Sequence, residues 1–381
     1  MVAAPIWVAG AGPGGLATAA LLRRQGRDVV VVERAAGLRE GGGALVLWPH
    51  GTRALAEVLG ADVLAALGPQ YRRARVCRWD GSVSHDLPVG RLADGGGGWV
   101  MAVERGALMR ALGAALPGAP VRFGVELVGA DVRADGVGVR FADGGEAHAA
   151  ALVGADGFGS AVGRALWGER PARPAGVVAW IGASAHPARD ARVVTATEGQ
   201  GRRFLHLPHA QGAWWYAYTH TSLAAQSHAD LRRAFRGFHP PVVDVIDATP
   251  DDACLRFELR DRPASADWGR GAATLLGDAA HACTPDLGQG VCMAAEDAVV
   301  LARALAAEPS IDAAFRRYEG LRRPRTADLQ GASWRVSQAG FAASPLGAQL
   351  RDAAFRAAPD VGLMAGFAAM FHDVAGAPRP S

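Results

Sequence analysis

Lysine is absent from this 381-residue chain: all 40 of its basic side chains are arginine. That excludes a Schiff-base lysine and a lysine-dependent phosphate loop. Cysteine is scarce. Cys77, Cys254, Cys283 and Cys292 form no C-x-x-C spacing and have no histidine partners at zinc-finger distances, so neither a metal site nor a disulfide framework is expected. They read as reduced thiols of a cytoplasmic protein. An excess of one charge is missing too. The net charge of +3 supplies no basic field for nucleic acid. Long apolar runs are also lacking. The first 22 residues carry no charged side chain, but four glycines and two prolines interrupt them, so they read as a nucleotide-binding turn and not as a membrane span.

What is present is organised around Ile6 to Arg34, IWVAGAGPGGLATAALLRRQGRDVVVVER. A short apolar run precedes Gly10, Gly12 and Gly15 at G-x-G-x-x-G spacing. Strong helix formers follow, and Val29 to Val32 reads as a strand buried on both faces. Gly10 permits the tight turn, Gly12 lets the backbone approach a pyrophosphate, and Gly15 lets the helix pack on the strand. Glu33, at the end of the second strand, can accept hydrogen bonds from ribose hydroxyls. Strand, turn, helix and acid together specify a dinucleotide site. The motif alone leaves FAD and NAD(P) open.

Further along, Val76–Trp79 and Val83–Leu87 read as a hairpin around Asp80-Gly81. Met101 to Leu116 reads as a strand end entering an amphipathic helix, with Arg105 at its start. A meander of short strands fills Val121 to Val153 and ends in the Asp156-Gly157 turn. From about Gly168 come four short strands rich in aromatics: Trp180, Phe204, Trp214, Trp215, Tyr216 and Tyr218. They predict a mostly antiparallel sheet with an aromatic-lined pocket on one face. Ala272 to Leu276 returns to a buried strand and leads into Gly277-Asp278 and Thr284-Pro285. There Gly288-Gln289-Gly290 opens a long helix whose free N–H groups can stabilise electron-rich ligand atoms. Beyond Asp312 the pattern is helical. Its arginine stripe is expected to be a solvated face, and Met364 to Phe371 is apolar enough to dock on the body or on a partner subunit, with an interfacial membrane contact as the alternative.

Three pieces resemble the class A flavin monooxygenases, the FAD-dependent hydroxylases of the p-hydroxybenzoate hydroxylase type. They are Gly10-x-Gly12-x-x-Gly15 with Glu33-Arg34, the Asp156-Gly157 turn in VGADGFGSAVGRAL, and Gly277-Asp278 with TPDLGQG. LWPHGTRAL and AAEDAVVLARAL are most similar to the salicylate hydroxylase, zeaxanthin epoxidase and urate hydroxylase branch. The resemblance implies an α/β (α+β) fold. A Rossmann-like FAD-binding domain would span 1–168 and 270–330, an antiparallel substrate-binding sheet domain 169–269, and a helical C-terminal segment 331–381.

It also implies FAD as the cofactor and NADPH or NADH as the electron donor. Gly10, Gly12, Gly15, Glu33, Arg34, Ala44, Arg105, the Leu127 backbone, Asp156, Asp278, Gly288, Gly290 and Val291 would contact FAD. The Asp156-Gly157 turn has two readings, a nucleotide contact or a structural turn. Oxygen from O2, carried as a flavin C4a-hydroperoxide, would enter an electron-rich aromatic ring. Epoxidation of an isoprenoid or indole-type alkene and a non-oxygenating FAD dehydrogenase are the alternatives. Pro285 would pack at the flavin edge. Arg203 and Asp286 match substrate-contacting residues of the urate hydroxylases, with Arg203 placed to pair with an acidic or phenolate substrate. Trp215 stands where those enzymes have tyrosine. Tryptophan cannot ionise or accept the same hydrogen bond, which implies a substrate other than urate. His50, His206 and His209 are candidate polar contacts, and His281 is expected to support its loop. A monomer or homodimer without a membrane span is expected.

Overall fold

The computed structural model describes residues 4–93, 97–116, 118, 121–186 and 190–371. Residues 1–3 of the expected first domain and 372–381 of the expected C-terminal segment lie outside them. A five-stranded parallel sheet has the order Ala273–Leu275, Ala151–Gly154, Ile6–Ala9, Val29–Glu33, Val121–Phe123. Its central strands are buried on both faces, which is why their sequences are continuously apolar. Helix Pro13–Arg24 packs on helix Gly290–Ala307. The approach is close because Gly14 presents no side chain to Leu276 and Ala294. The antiparallel meander Leu127–Arg133, Gly136–Phe141, Glu146–Ala149 packs beside the sheet, with Phe141 tilted against Trp7.

A seven-stranded sheet lies beyond it, in the order Leu255–Asp261, Arg173–Ser184, Gly212–His220, Arg202–His209, Val193–Gly199, Arg73–Arg78, Val83–Leu87. It is antiparallel except where Val193–Gly199 runs parallel to Arg73–Arg78. The hairpin at residues 73–87 therefore extends this sheet, although the sequence reading put it within 1–168. Pairing is decided by which edge accepts the strand, and that edge is remote in sequence. One face of the sheet carries helices His228–Ala234 and Val242–Asp247, packed on Trp180, Phe204 and Trp215. The other face looks toward the nucleotide-binding layer. A two-stranded ribbon, Ala44–Leu47 with Met101–Glu104, bridges the layers.

The C-terminal helices differ from expectation in one respect. Arg322, within helix Ile311–Gly340, is fully buried and not part of a solvated stripe. Its Nε donates to Asp297 Oδ1 (2.6 Å) and its Nη1 to Glu296 Oε2 (2.8 Å), while Arg325 donates to both Glu296 oxygens. Burial on its own would raise the Asp297 carboxyl, but His281 and Arg322 hold it down at about 2. Asp297 Oδ2 meets His281 Nε2 (2.6 Å) and accepts the Gly277 N–H (3.0 Å), which fixes the turn before Asp278. His281 thus supports its loop, as the sequence suggested. Helix Asp360–Met370 docks on the body: Phe367 and Phe371 stack on Trp48, with centroids 5.3 and 5.0 Å away.

Candidate active site

The glycine turn is shaped by close backbone contacts. A Cβ on Gly15 would sit 2.0 Å from Gly10 O, and one on Gly10, where φ is +103°, would sit 2.3 Å from Ala155 O. A Cβ on Gly12 would meet nothing within 4 Å. Open space therefore lies beside Gly12, at the start of helix Pro13–Arg24. That helix has no side-chain cap and no acid in its first turn. Its first N–H groups remain available to a phosphate, so the turn fits the pyrophosphate of a dinucleotide. Glu33 accepts the Ala11 and Ala35 N–H groups, both at 2.9 Å, one on each carboxylate oxygen. A second lone pair on each oxygen is left for a ribose hydroxyl.

The other expected FAD contacts differ in exposure and in the partners they already have. Arg34 is exposed at the end of its strand. Leu127 buries its side chain, so only its main chain can face a ligand. Arg105 begins helix Arg105–Ala114, and its N–H donates to Gly43 O (3.0 Å) while its side chain lies against Gly42. Ala44 is buried, and its carbonyl accepts the Tyr216 hydroxyl. Asp278 is exposed, and its Oδ1 would lie 3.7 Å from a Cβ on Gly290. Helix Gly290–Ala307 also starts without a side-chain cap or first-turn acid, so Gly290 and Val291 open a second donor-rich N-terminus below the left-handed turn at Gly288. Asp156 behaves otherwise. Its Oδ2 accepts the Ala161 and Val162 N–H groups at 2.7 and 3.1 Å, capping helix Ala161–Trp167. Burial raises its carboxyl above the usual range. Its Oδ1 is buried without a partner among the described residues, so one oxygen holds the helix and the other stays open to a nucleotide, and the turn keeps both readings.

Arg203 and Asp286 come together from opposite sides of the chain. Arg203 Nη1 donates to Asp286 Oδ1 (2.9 Å), and its Nε donates to Glu198 Oε1 (2.6 Å). The Asp286 side chain is 2% exposed, and its Oδ2 is buried without a partner among the described residues. Arg203 is thus held between two carboxylates and is not a free cation awaiting an acidic substrate. Tyr218 faces it across the ladder, and Phe341 packs against its guanidinium at 4.8 Å. Pro285 is exposed on the turn Pro285–Leu287 beside Asp286.

Trp215 is not in this cluster. It is fully buried on the opposite face, stacked on Phe204 (5.7 Å), with Nε1 donating to Thr249 Oγ1 (2.9 Å). Tyr216 occupies the face shared with Arg203, because neighbouring strand residues point to opposite sides. Trp215, so placed, says nothing against urate. His206 pairs with Trp215 on the far face, and burial lowers its imidazole to about 4. His209 lies tilted against Trp214 (4.1 Å) near the hairpin tip. His50 is buried against Phe371 (5.1 Å). An open cleft of about 740 Å³ near Gln70, Arg72, Arg192 and Trp214 includes none of the Arg203–Asp286 cluster. Glu198 was missed in the sequence. Its only signal was strand parity, which needs the register Glu198↔Arg203 before it means anything.

The chain matches the family described as FAD binding domain over residues 3–330. It belongs to that family. It is a flavin-dependent monooxygenase with FAD as cofactor and NAD(P)H as the family's usual electron donor. Aurachin C monooxygenase/isomerase of Stigmatella aurantiaca is 34% identical over 342 residues, covering 88% of this chain and 89% of that protein. An FAD-dependent urate hydroxylase of Klebsiella pneumoniae is 33% identical, covering 84% of this chain and 86% of that one. The crystal structure of Klebsiella pneumoniae HpxO complexed with FAD and uric acid superposes with a TM-score of 0.89 at 28% identity, over 96% of both chains. No helix among the described residues of this flavin monooxygenase is long and apolar enough to cross a membrane.

Proposed function

We propose that this enzyme hydroxylates an electron-rich aromatic ring bearing an O–H or N–H donor, and that Asp286 Oδ2 accepts that donor. The observation carrying the reading is a buried carboxylate oxygen without a partner, on the loop that precedes the uncapped helix Gly290–Ala307. A buried acceptor left unmade is costly, and a ring hydroxyl or ring N–H would satisfy it. Arg203 is paired on both sides, and Arg351 Nη1 lies 4.0 Å from Glu198 Oε2, so no unpaired cation among the described residues faces an anionic group at this spot.

When bound, reduced FAD activates O2 and supplies one oxygen to the ring. Arg203 and Glu198 fix the Asp286 side chain, so the ring is held by one oriented contact. A hydrogen bond donated to the carboxylate also shifts electron density into the ring, which favours attack by an electrophilic oxygen. The N–H groups of Gly290 and Val291 can stabilise negative charge on the reduced flavin. The half-buried side chains of Leu205 and Tyr216, on the same sheet face as Arg203, keep water from the reacting position. An alkene without a donor would leave Asp286 Oδ2 unsatisfied, so this geometry favours hydroxylation over epoxidation.

The test is a titration of flavin absorbance, backed by product mass, with phenols and N–H heteroaromatics against their O- or N-methylated forms. Donor-bearing rings should bind about 10-fold or more tightly than their methylated forms, the loss expected for a hydrogen bond to a charged group, and should gain one oxygen. Equal binding of the two sets contradicts the assignment.

A further inference from the structure

We propose that the open cleft of about 740 Å³ beside Trp214 binds the ADP half of the NAD(P)H electron donor, with Arg72 and Arg192 on its phosphates. That donor has no motif of its own, because the G-x-G-x-x-G spacing occurs once in the chain, at the turn that fits FAD. Its contacts are left to residues remote in sequence, and the cleft has the about 300–1,000 Å³ usual for small-molecule sites. Strands Arg73–Arg78 and Val193–Gly199 start side by side, and just before them the Arg72 N–H donates to Arg192 O (2.9 Å). Two arginines therefore meet at one rim. Arg73 and Arg75, next along the first strand, are both paired with Asp86 (2.7 and 3.2 Å). Arg72 and Arg192 are exposed, and neither has a side-chain partner among the described residues.

Two adjacent guanidiniums without a carboxylate suit a pyrophosphate, whose oxygens accept charge-assisted bonds from both. Trp214 lines the same cleft half-buried, with His209 tilted against it, and offers a flat surface to adenine. Glu104, the acid of the lining, can accept ribose hydroxyls. Glu104 also gives the cleft its direction. It pairs with Ala44 across the ribbon and immediately precedes Arg105, and Ala44 and Arg105 are both expected FAD contacts. A dinucleotide held here by its ADP half can extend its nicotinamide along the ribbon toward the flavin. One hydride then passes to FAD and the oxidised nucleotide leaves. The cleft supplies binding alone, apart from the Arg203–Asp286 cluster.

The experiment follows reduction of the FAD-loaded enzyme by NADPH and by NADH without oxygen, which separates the donor's dissociation constant from the limiting rate. The double variant Arg72→Gln, Arg192→Gln should bind the donor about 10-fold or more weakly, the loss expected for a hydrogen bond to a charged group, at an unchanged limiting rate. Calorimetry gives a second reading without turnover: ADP should bind the parent, compete with the donor and show the same loss in the double variant. Arg73→Gln removes a like charge from the same strand outside the cleft and should leave both constants as in the parent. Flavin content shows that each protein is folded. Unchanged donor affinity in the double variant, or an equal loss in Arg73→Gln, overturns the site. Inorganic phosphate that displaces the donor as well as ADP does overturns it too, because the cleft would then hold any anion.

Discussion

Two glycines of one motif separate folding from cofactor binding. Gly15 and Gly12 lie three residues apart, but their surroundings are opposite. A Cβ on Gly15 would lie 2.0 Å from Gly10 O, a backbone atom that cannot rotate away. Restoring an ordinary contact requires the helix and turn to separate by more than 1 Å or so, in a sheet layer packed at crystal-like density. Overpacking of that kind costs about 1–3 kcal/mol or more, so Gly15→Ala should lower the melting temperature of the apoprotein by several degrees. Gly12 has an ordinary φ of −74° and nothing within 4 Å of an added methyl. Gly12→Ala should leave the apoprotein as stable as before, or more stable by roughly 0.4–1 kcal/mol through a less flexible unfolded chain. The same methyl would stand where the backbone must approach the pyrophosphate. Losing one charge-assisted bond of about 1.5–3 kcal/mol weakens FAD by roughly 10- to 150-fold. Differential scanning of the apoproteins and FAD titration by fluorescence quenching measure both. A Gly12→Ala protein that binds FAD like the parent would refute this account of the turn.

Other expectations concern the sheet and the buried histidine. Trp215→Phe removes the bond to Thr249 on the far face, so it should cost about 1 kcal/mol in urea unfolding and leave ring binding unchanged. For His50, burial lowers the folded imidazole from 6.5 to about 4, so below the unfolded value the unfolded chain binds the extra proton. Its contribution is therefore present above about 6.5 and lost as pH falls toward 4. About 2–3 kcal/mol should disappear between about pH 7 and about pH 4.5. His50→Gln should flatten the pH dependence of unfolding by that amount, and an unchanged slope would show that His50 is not held neutral.

Much of the fold could be read from the chain because its signals are local. The first strand, turn, helix and second strand lie in one continuous segment, and Val29 to Val32 announces burial on both faces without reference to anything else. Motif likeness assigned Arg203 and Asp286 to the substrate site, but not their ion pair, since the two are held together only by tertiary structure. Trp215 shows where such reading stops. Alternation says that Trp215 and Tyr216 face opposite sides, but choosing the side requires the register with Arg202–His209 and knowledge of which face carries helices. Arg322 is a second case. An arginine-rich helix reads as solvated until Asp297 and Glu296, from another helix, are found beside it. The 73–87 hairpin joined the larger sheet for the same reason: its partner strand begins at Val193.

The Asp286 assignment is tested most directly by a thermodynamic cycle. Flavin absorbance titration would compare a donor-bearing ring and its methylated form on the parent enzyme and on Asp286→Asn. The account predicts that methylation and Asp286→Asn each weaken binding by about 10-fold or more, and that the second change adds little once the first is made. Two independent, fully additive losses would contradict it, because they would mean that the ring's donor is received somewhere other than Asp286 Oδ2.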